Sequence, residues 1–215
     1  MKTKLREPIN SITHLAGAGV FLIGTILIIA QRIIANAPLR DIIGVTVFGI
    51  SLVMLYMASG IYHAYMGGEK VLGKLKKLDH SMIYVLIAGC FTHMCLQVLT
   101  GTKQVVILSV IWAIALFGIF GKIFMPNVPR VLYTFFYLFM GWIVVFFIGD
   151  VYRGVDLSGF ILLFVGGVLY SIGGIIYMIK KPNFSKDFGF HEFFHLFILG
   201  GSLFHYLFTF FYLTA

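Results

Sequence analysis

The sequence is poor in charge. Asp, Glu, Lys and Arg make up only 11% of its 215 residues, against about 25% in an ordinary soluble domain. Hydrophobic residues make up 60%, and the mean hydropathy is +1.00. This balance excludes a water-soluble globular chain and leaves a protein built for a bilayer. Cysteine is almost absent. Cys90 and Cys95 lie five apart in one apolar run, on different sides of a helix, which excludes a disulfide framework and any Cys-x-x-C site. Strict apolar/polar alternation is missing, so a membrane β-barrel is excluded. Internal repeats, low-complexity tracts and connections long enough to fold alone are missing too, and a single domain over residues 1–215 is expected. The net charge of +8 does not point to nucleic acid, because the basic residues are scattered between apolar runs.

Seven apolar runs are present, at 12–30, 42–65, 81–99, 105–120, 131–149, 160–179 and 191–213. Helices are the expected form, since each backbone group must be satisfied within its own segment. The fold class predicted is therefore an all-α integral membrane protein, a seven-transmembrane helix bundle. The first run is longer than a signal-peptide core, and Pro38 follows the small-residue string Ala35-Asn36-Ala37, so a retained first span is expected. Thr100 to Gln104 is the only connection between the third and fourth runs, which forces an antiparallel pair. Glycine doublets at 166/167, 173/174 and 200/201 are read as places of close helix approach. With the N-terminus cytoplasmic, twelve Lys and Arg fall on inner segments and four (Arg32, Arg40, Lys103, Arg153) on outer ones. The positive-inside rule thus predicts a cytoplasmic N-terminus and an outside C-terminus.

That topology gathers ionisable residues at one membrane depth. His63 ends the second run, Asp79 precedes the third, and His191-Glu192-Phe193-Phe194-His195 opens the seventh. Histidines four apart share a helix face and can bind one ion. With His63 they offer three nitrogen ligands, the usual complement of a catalytic zinc site with an open fourth position. Asp79 is the candidate base or ligand-orienting group. Ser59, one turn before His63, is the candidate to position a substrate oxygen or the Asp79 carboxylate. Both stand as the catalytic pair, with His14, Asn10 and Glu7 near the start of the first run as candidates to support the ligands. His93 and His205 lie about 21 Å and 15 Å along their helices from Asp79 and His195, too far for the same ion, and are read as satisfied buried histidines. His80 adjoins Asp79 on another helix face and is read either as an interfacial residue or as a functional one. Ionisable groups inside spans are costly, so their clustering marks a functional site.

These residues resemble a known family. Glu7-x-x-Asn10-x-x-Thr13-His14-x-x-Gly17, then Ser59-x-x-x-His63 with Lys77-Leu78-Asp79-His80-Ser81, then His191-x-x-x-His195 with His205-Tyr206 look like the three signature regions of the progestin and adipoQ receptor superfamily, and of its bacterial hemolysin III branch in particular. The resemblance covers essentially the full chain. It implies a seven-helix fold with zinc held near the cytoplasmic face by His63, His191 and His195, and with Ser59 and Asp79 around a metal-bound water. It also implies a bacterial plasma-membrane location and a part in membrane lipid homeostasis. The adiponectin receptors of the same superfamily are linked to ceramide hydrolysis. Gly60 departs from the pattern, where relatives carry a second small hydroxyl residue. A long soluble N-terminal region like that of the eukaryotic receptors is lacking, so recognition of a protein hormone is not expected.

The function expected is a zinc-dependent hydrolase of lipid amide or ester bonds, with membrane lipids as substrate or ligand. Two alternatives carry different sequence marks. A membrane-homeostasis regulator or hemolysin-like pore former would use the zinc structurally. An intramembrane metalloprotease would use Glu192 as base within the His-Glu-x-x-His string.

Overall fold

A computed structural model describes residues 5–125, 127–185 and 188–212. They form α1 (Pro8–Ile34), α2 (Leu39–Ala64), α3 (Glu69–Val98), α4 (Gly101–Phe124), α5 (Arg130–Trp142), a 3-10 segment (Ile143–Phe147), α6 (Ile148–Gly154), α7 (Leu157–Ile179) and α8 (Phe190–Tyr212). Among the described residues there is no β-strand. Since α5, the 3-10 segment and α6 make one apolar stretch from Arg130 to Gly154, seven helical spans are long and apolar enough to cross a membrane. The shortest, at 23 residues, reaches about 35 Å, beyond a hydrocarbon core of about 30 Å. The protein is a seven-span helical membrane bundle.

The ends of the helices follow from local chemistry. Pro8 sits in the first turn of α1, where a missing N–H costs nothing. Asp156 caps α7 by accepting from the Gly159 N–H at 2.8 Å. The connection between α3 and α4 is tighter than the five residues expected: α4 already begins at Gly101, in the left-handed region (φ 60) that glycine enters without cost. The Gln104 side chain then folds back and donates to the Cys95 and Leu99 carbonyls, satisfying the end of α3. The fifth span is not one regular helix. Its 3-10 segment begins with Ile143, Val144 and Val145, whose β-branched side chains disfavour a regular α-helical turn.

α1, α2, α3 and α8 form the side of the bundle that holds the site, and α4 packs chiefly on α3. One apolar cluster joins Phe21, Phe48, Leu52, Tyr56 and Leu86, and a second joins Tyr84, Phe91, Ile111, Met140 and Phe147. Large apolar side chains such as Val20, Ile23, Phe117 and Phe146 point outward, as a lipid-facing surface requires. Lipid supplies no hydrophobic drive between helices, so their contacts depend on small residues. Gly173 packs against Phe197 of α8, Gly174 against Leu138 of α5, and Gly201 against Tyr170 of α7. Of the three doublets, Gly167 faces open space instead, on the wall of the cavity described below.

Arg32, counted with the outer loops in the sequence, lies within α1 and is fully buried, donating to the Thr209 carbonyl of α8 at 2.9 Å. It is a packing residue rather than a loop charge.

Candidate metal centre

At the end of the bundle where α1 begins, two spans contribute to one histidine cluster. His63 comes from the last turn of α2, and His191 and His195 come from the first turns of α8. Their ring centroids are 4.8 to 5.0 Å apart, and one ligand nitrogen from each lies within 4.8 Å of the others. His63 Nε2 and His195 Nδ1 are buried and have no hydrogen-bond partner. Two orphaned imidazole nitrogens beside a third histidine are a donor set that suits a borderline ion such as zinc.

The start of α1 positions His63. The Glu7 N–H donates to the His63 carbonyl at 3.0 Å, and the Glu7 carboxylate pairs with His63 Nδ1, which leaves Nε2 turned to the cluster. Burial pushes the Glu7 carboxyl up, but the His63 imidazole bonded to it, with Arg6 and His191 nearby, outweighs this and holds it at about 2. Arg6 donates to the Tyr62 carbonyl at 3.0 Å, and Ser11 Oγ to the Gly60 carbonyl at 3.1 Å. These contacts need α1 close to α2, and Gly60 permits it: a Cβ there would fall 2.6 Å from Leu15 Cγ. The departure at Gly60 is thus explained by packing.

His14, one turn beyond Asn10, stacks on His195 and meets Tyr56 edge-on, with ring centroids 5.0 Å apart. Asn10 reaches α8 differently, donating from Nδ2 to Glu192 Oε1 at 2.7 Å. The other Glu192 oxygen accepts from the Gly189 N–H at 2.8 Å. Both oxygens of Glu192 are therefore engaged in capping α8 and joining it to α1.

Asp79 and Ser59 face each other on the wall of a cavity of about 400 Å³ that also exposes His14, His191 and His195. Asp79 is buried, ten residues inside α3. The cavity runs along the bundle to His93, Phe208 and Thr209 near the far ends of α3 and α8. Trp142, Val145 and Phe164 line it and are also exposed on the outer surface, so it opens sideways between the fifth span and α7.

Several polar residues at the site were not anticipated. Tyr56 donates to Ser202 Oγ at 2.5 Å, and the Tyr170 hydroxyl lies 2.7 Å from the same oxygen. A signal was present, because Tyr56 is seven residues before His63 and Ser202 seven after His195, two turns along the same faces. His93 corrects the reading of a satisfied buried histidine: it is buried, but neither ring nitrogen has a partner. His205 is only half satisfied, its Nε2 lacking a partner. His80 is buried rather than interfacial, with Nδ1 3.1 Å from the Lys122 ammonium.

Comparison with known proteins adds an independent line. A family model described as "Haemolysin-III related" matches residues 2–206. The chain is 40% identical over 203 residues to the "Hemolysin-3 homolog" of Bacillus subtilis (strain 168), covering 94% of this chain and 92% of that one. It is 35% identical over 196 residues to "Hemolysin-3" of Bacillus cereus, covering 91% and 86%.

Proposed function

The chain belongs to the hemolysin III family, a branch of the progestin and adipoQ receptor superfamily, and from that membership together with the geometry above we propose that it is a zinc-dependent hydrolase of lipid amide or ester bonds. One observation carries the reading: a cluster of three imidazoles, two of which (His191 and His195) line the wall, stands at one end of a cavity that is apolar for most of its length and open to the bilayer at its side. A lipid chain fits such a space, and its carbonyl would lie at the histidine end.

In this reading His63, His191 and His195 hold the ion, which supplies a Lewis acid that makes water more acidic and polarises a carbonyl. Asp79 takes the proton from the attacking water and returns it to the leaving group. Ser59 orients the Asp79 carboxylate by hydrogen bonding. Glu7 fixes the His63 ring through Nδ1, as carboxylates commonly do for ligating histidines. The apolar wall excludes bulk water and binds the chain. The basic residues crowded at the histidine end favour a cytoplasmic N-terminus, an outside C-terminus and a site facing the cytoplasm, in the plasma membrane of a bacterial cell.

The experiment is a comparison of purified wild type with Asp79→Asn. The variant is expected to keep about one zinc per chain and to lose at least about 100-fold in lipid hydrolysis. Equal hydrolysis by the two proteins removes the assignment of Asp79. Zinc bound without turnover by wild type leaves the ion as a pin between α2 and α8.

A further inference from the structure

A second cavity, of about 600 Å³, lies on the other side of the fifth span, between α4 and α5 with α3 behind it. Its wall is apolar, built by Tyr84, Ile114, Phe117, Leu132, Phe136 and Phe139. Phe117, Leu132, Phe136 and Phe139 are also exposed on the outer surface, so the cavity is a groove open to lipid. Among the described residues one charged residue lines it, Lys122, in the last turn of α4.

The surroundings of Lys122 are unusual for a cation at the end of a span. Its ammonium lies 2.9 Å from the centre of the Tyr133 ring and 3.1 Å from His80 Nδ1. Among the described residues no carboxylate pairs with it within 4.0 Å. Two more ammonium groups approach the same rim. Lys77 donates to the Ile123 carbonyl beside it at 2.7 Å, and Lys76 and the Asp79 carboxylate both lie within electrostatic range of it, without an ion pair between Asp79 and Lys122. An apolar groove with three ammonium groups at one end, level with the helix termini, has the charge pattern of a lipid headgroup site.

We propose that this groove binds an anionic phospholipid from the adjoining leaflet, with an acyl chain against Phe117, Phe136 and Phe139 and the phosphate at Lys122, Lys76 and Lys77. A phosphate presents several oxygens to separate donors, which three lysines match better than they match one carboxylate. The groove shares Tyr133 with the first cavity, and Lys122 lies within electrostatic range of Asp79, so the test reads lipid binding and not hydrolysis.

The test measures thermal unfolding of the purified full chain in neutral detergent with added phosphatidylglycerol, phosphatidylcholine or oleate. Phosphatidylglycerol is expected to raise the midpoint by about 5 °C or more, and phosphatidylcholine to leave it nearly unchanged. Lys122→Gln should lose most of the shift and Lys122→Arg should keep it. Gly121→Leu supplies a check that leaves the lysines intact: a Cβ there meets only Met125 Cε, at 3.6 Å, and the longer side chain enters the groove. It should unfold as wild type does without lipid and lose the shift with it. An equal shift with phosphatidylcholine, or a phosphatidylglycerol shift that survives both Lys122→Gln and Gly121→Leu, overturns the proposal. A shift produced by oleate and not by phosphatidylglycerol overturns it in favour of a free fatty acid.

Discussion

The imidazole of His14 lies flat on that of His195, with ring centroids 3.7 Å apart and planes 15° from parallel. Neither His14 nitrogen has a hydrogen-bond partner, and the ring is wedged between His195 and the edge of Tyr56. The contact fixes the plane of His195 through shape. His14→Phe keeps a flat ring and is expected to retain zinc affinity within about threefold, whereas His14→Ala loses the support and about 10- to 100-fold in affinity. Titration against a competing chelator measures both. If Phe weakens binding as much as Ala, His14 acts through a nitrogen and belongs among the ligands.

Glu192 occupies the base position of the His-Glu-x-x-His string, yet its two oxygens accept from Asn10 Nδ2 and from the Gly189 N–H. Glu192→Gln preserves an acceptor for Gly189, and Asn10 can turn its amide oxygen toward the new amide. Turnover is therefore expected to change by less than about tenfold, against a loss of about 100-fold or more for Asp79→Asn. Assaying the two variants on lipid and peptide substrates separates the hydrolase from the metalloprotease: a collapse of proteolysis in Glu192→Gln alone favours the latter.

The gathering of His63, His191 and His195 was legible in the sequence because it needs only span counting and the i, i+4 rule. Antiparallel spans of similar length return the end of the second and the start of the seventh to the same level. Which neighbours support the rings was only partly legible. Glu7, Asn10 and His14 share one face of α1 at spacings of three and four, but that Glu7 pairs with His63, Asn10 with Glu192 and His14 with the His195 ring depends on how α1 leans on α2 and α8. Arg32 was misplaced because hydropathy ends a span at the first charge, while a guanidinium that reaches the Thr209 carbonyl can lie inside one. The groove at Lys122 was invisible for a related reason, since it depends on how α4 and α5 pack on α3, which hydropathy does not show.

Asp41 is fully buried in the first turn of α2, 3.5 Å from Arg40 Nε and within electrostatic range of Arg32. Asp41→Asn removes the carboxylate from beside two guanidinium groups and leaves their charge less compensated. Arg40 is about half exposed and its pairing contributes about 1 kcal/mol or less, whereas loss of a partner beside the buried Arg32 costs about 3 to 5 kcal/mol. A drop of about 10 °C in melting midpoint is expected, with zinc affinity nearly unchanged because the cluster lies at the other end of the bundle. A midpoint within about 2 °C of wild type would show that Asp41 contributes little to holding the arginines.

Gly60 sets how closely α1 can approach α2, and hence whether Glu7 and His14 reach the histidines. A Cβ at this position would lie 2.6 Å from Leu15 Cγ and 3.1 Å from the Leu15 backbone nitrogen. The first contact can be relieved by moving a side chain, but the second involves backbone and requires the helix itself to shift. Gly60→Ser, although it adds the hydroxyl that the family resemblance implies, is therefore expected to cost about 1 to 3 kcal/mol and to weaken zinc binding as α1 moves outward. Leu15→Ala in the same chain should recover part of the stability and little of the metal affinity, since the backbone contact remains. Melting midpoints and zinc affinities for the two single variants and the double variant measure this coupling. If Gly60→Ser matches wild type in both, the approach of α1 to α2 does not depend on this glycine.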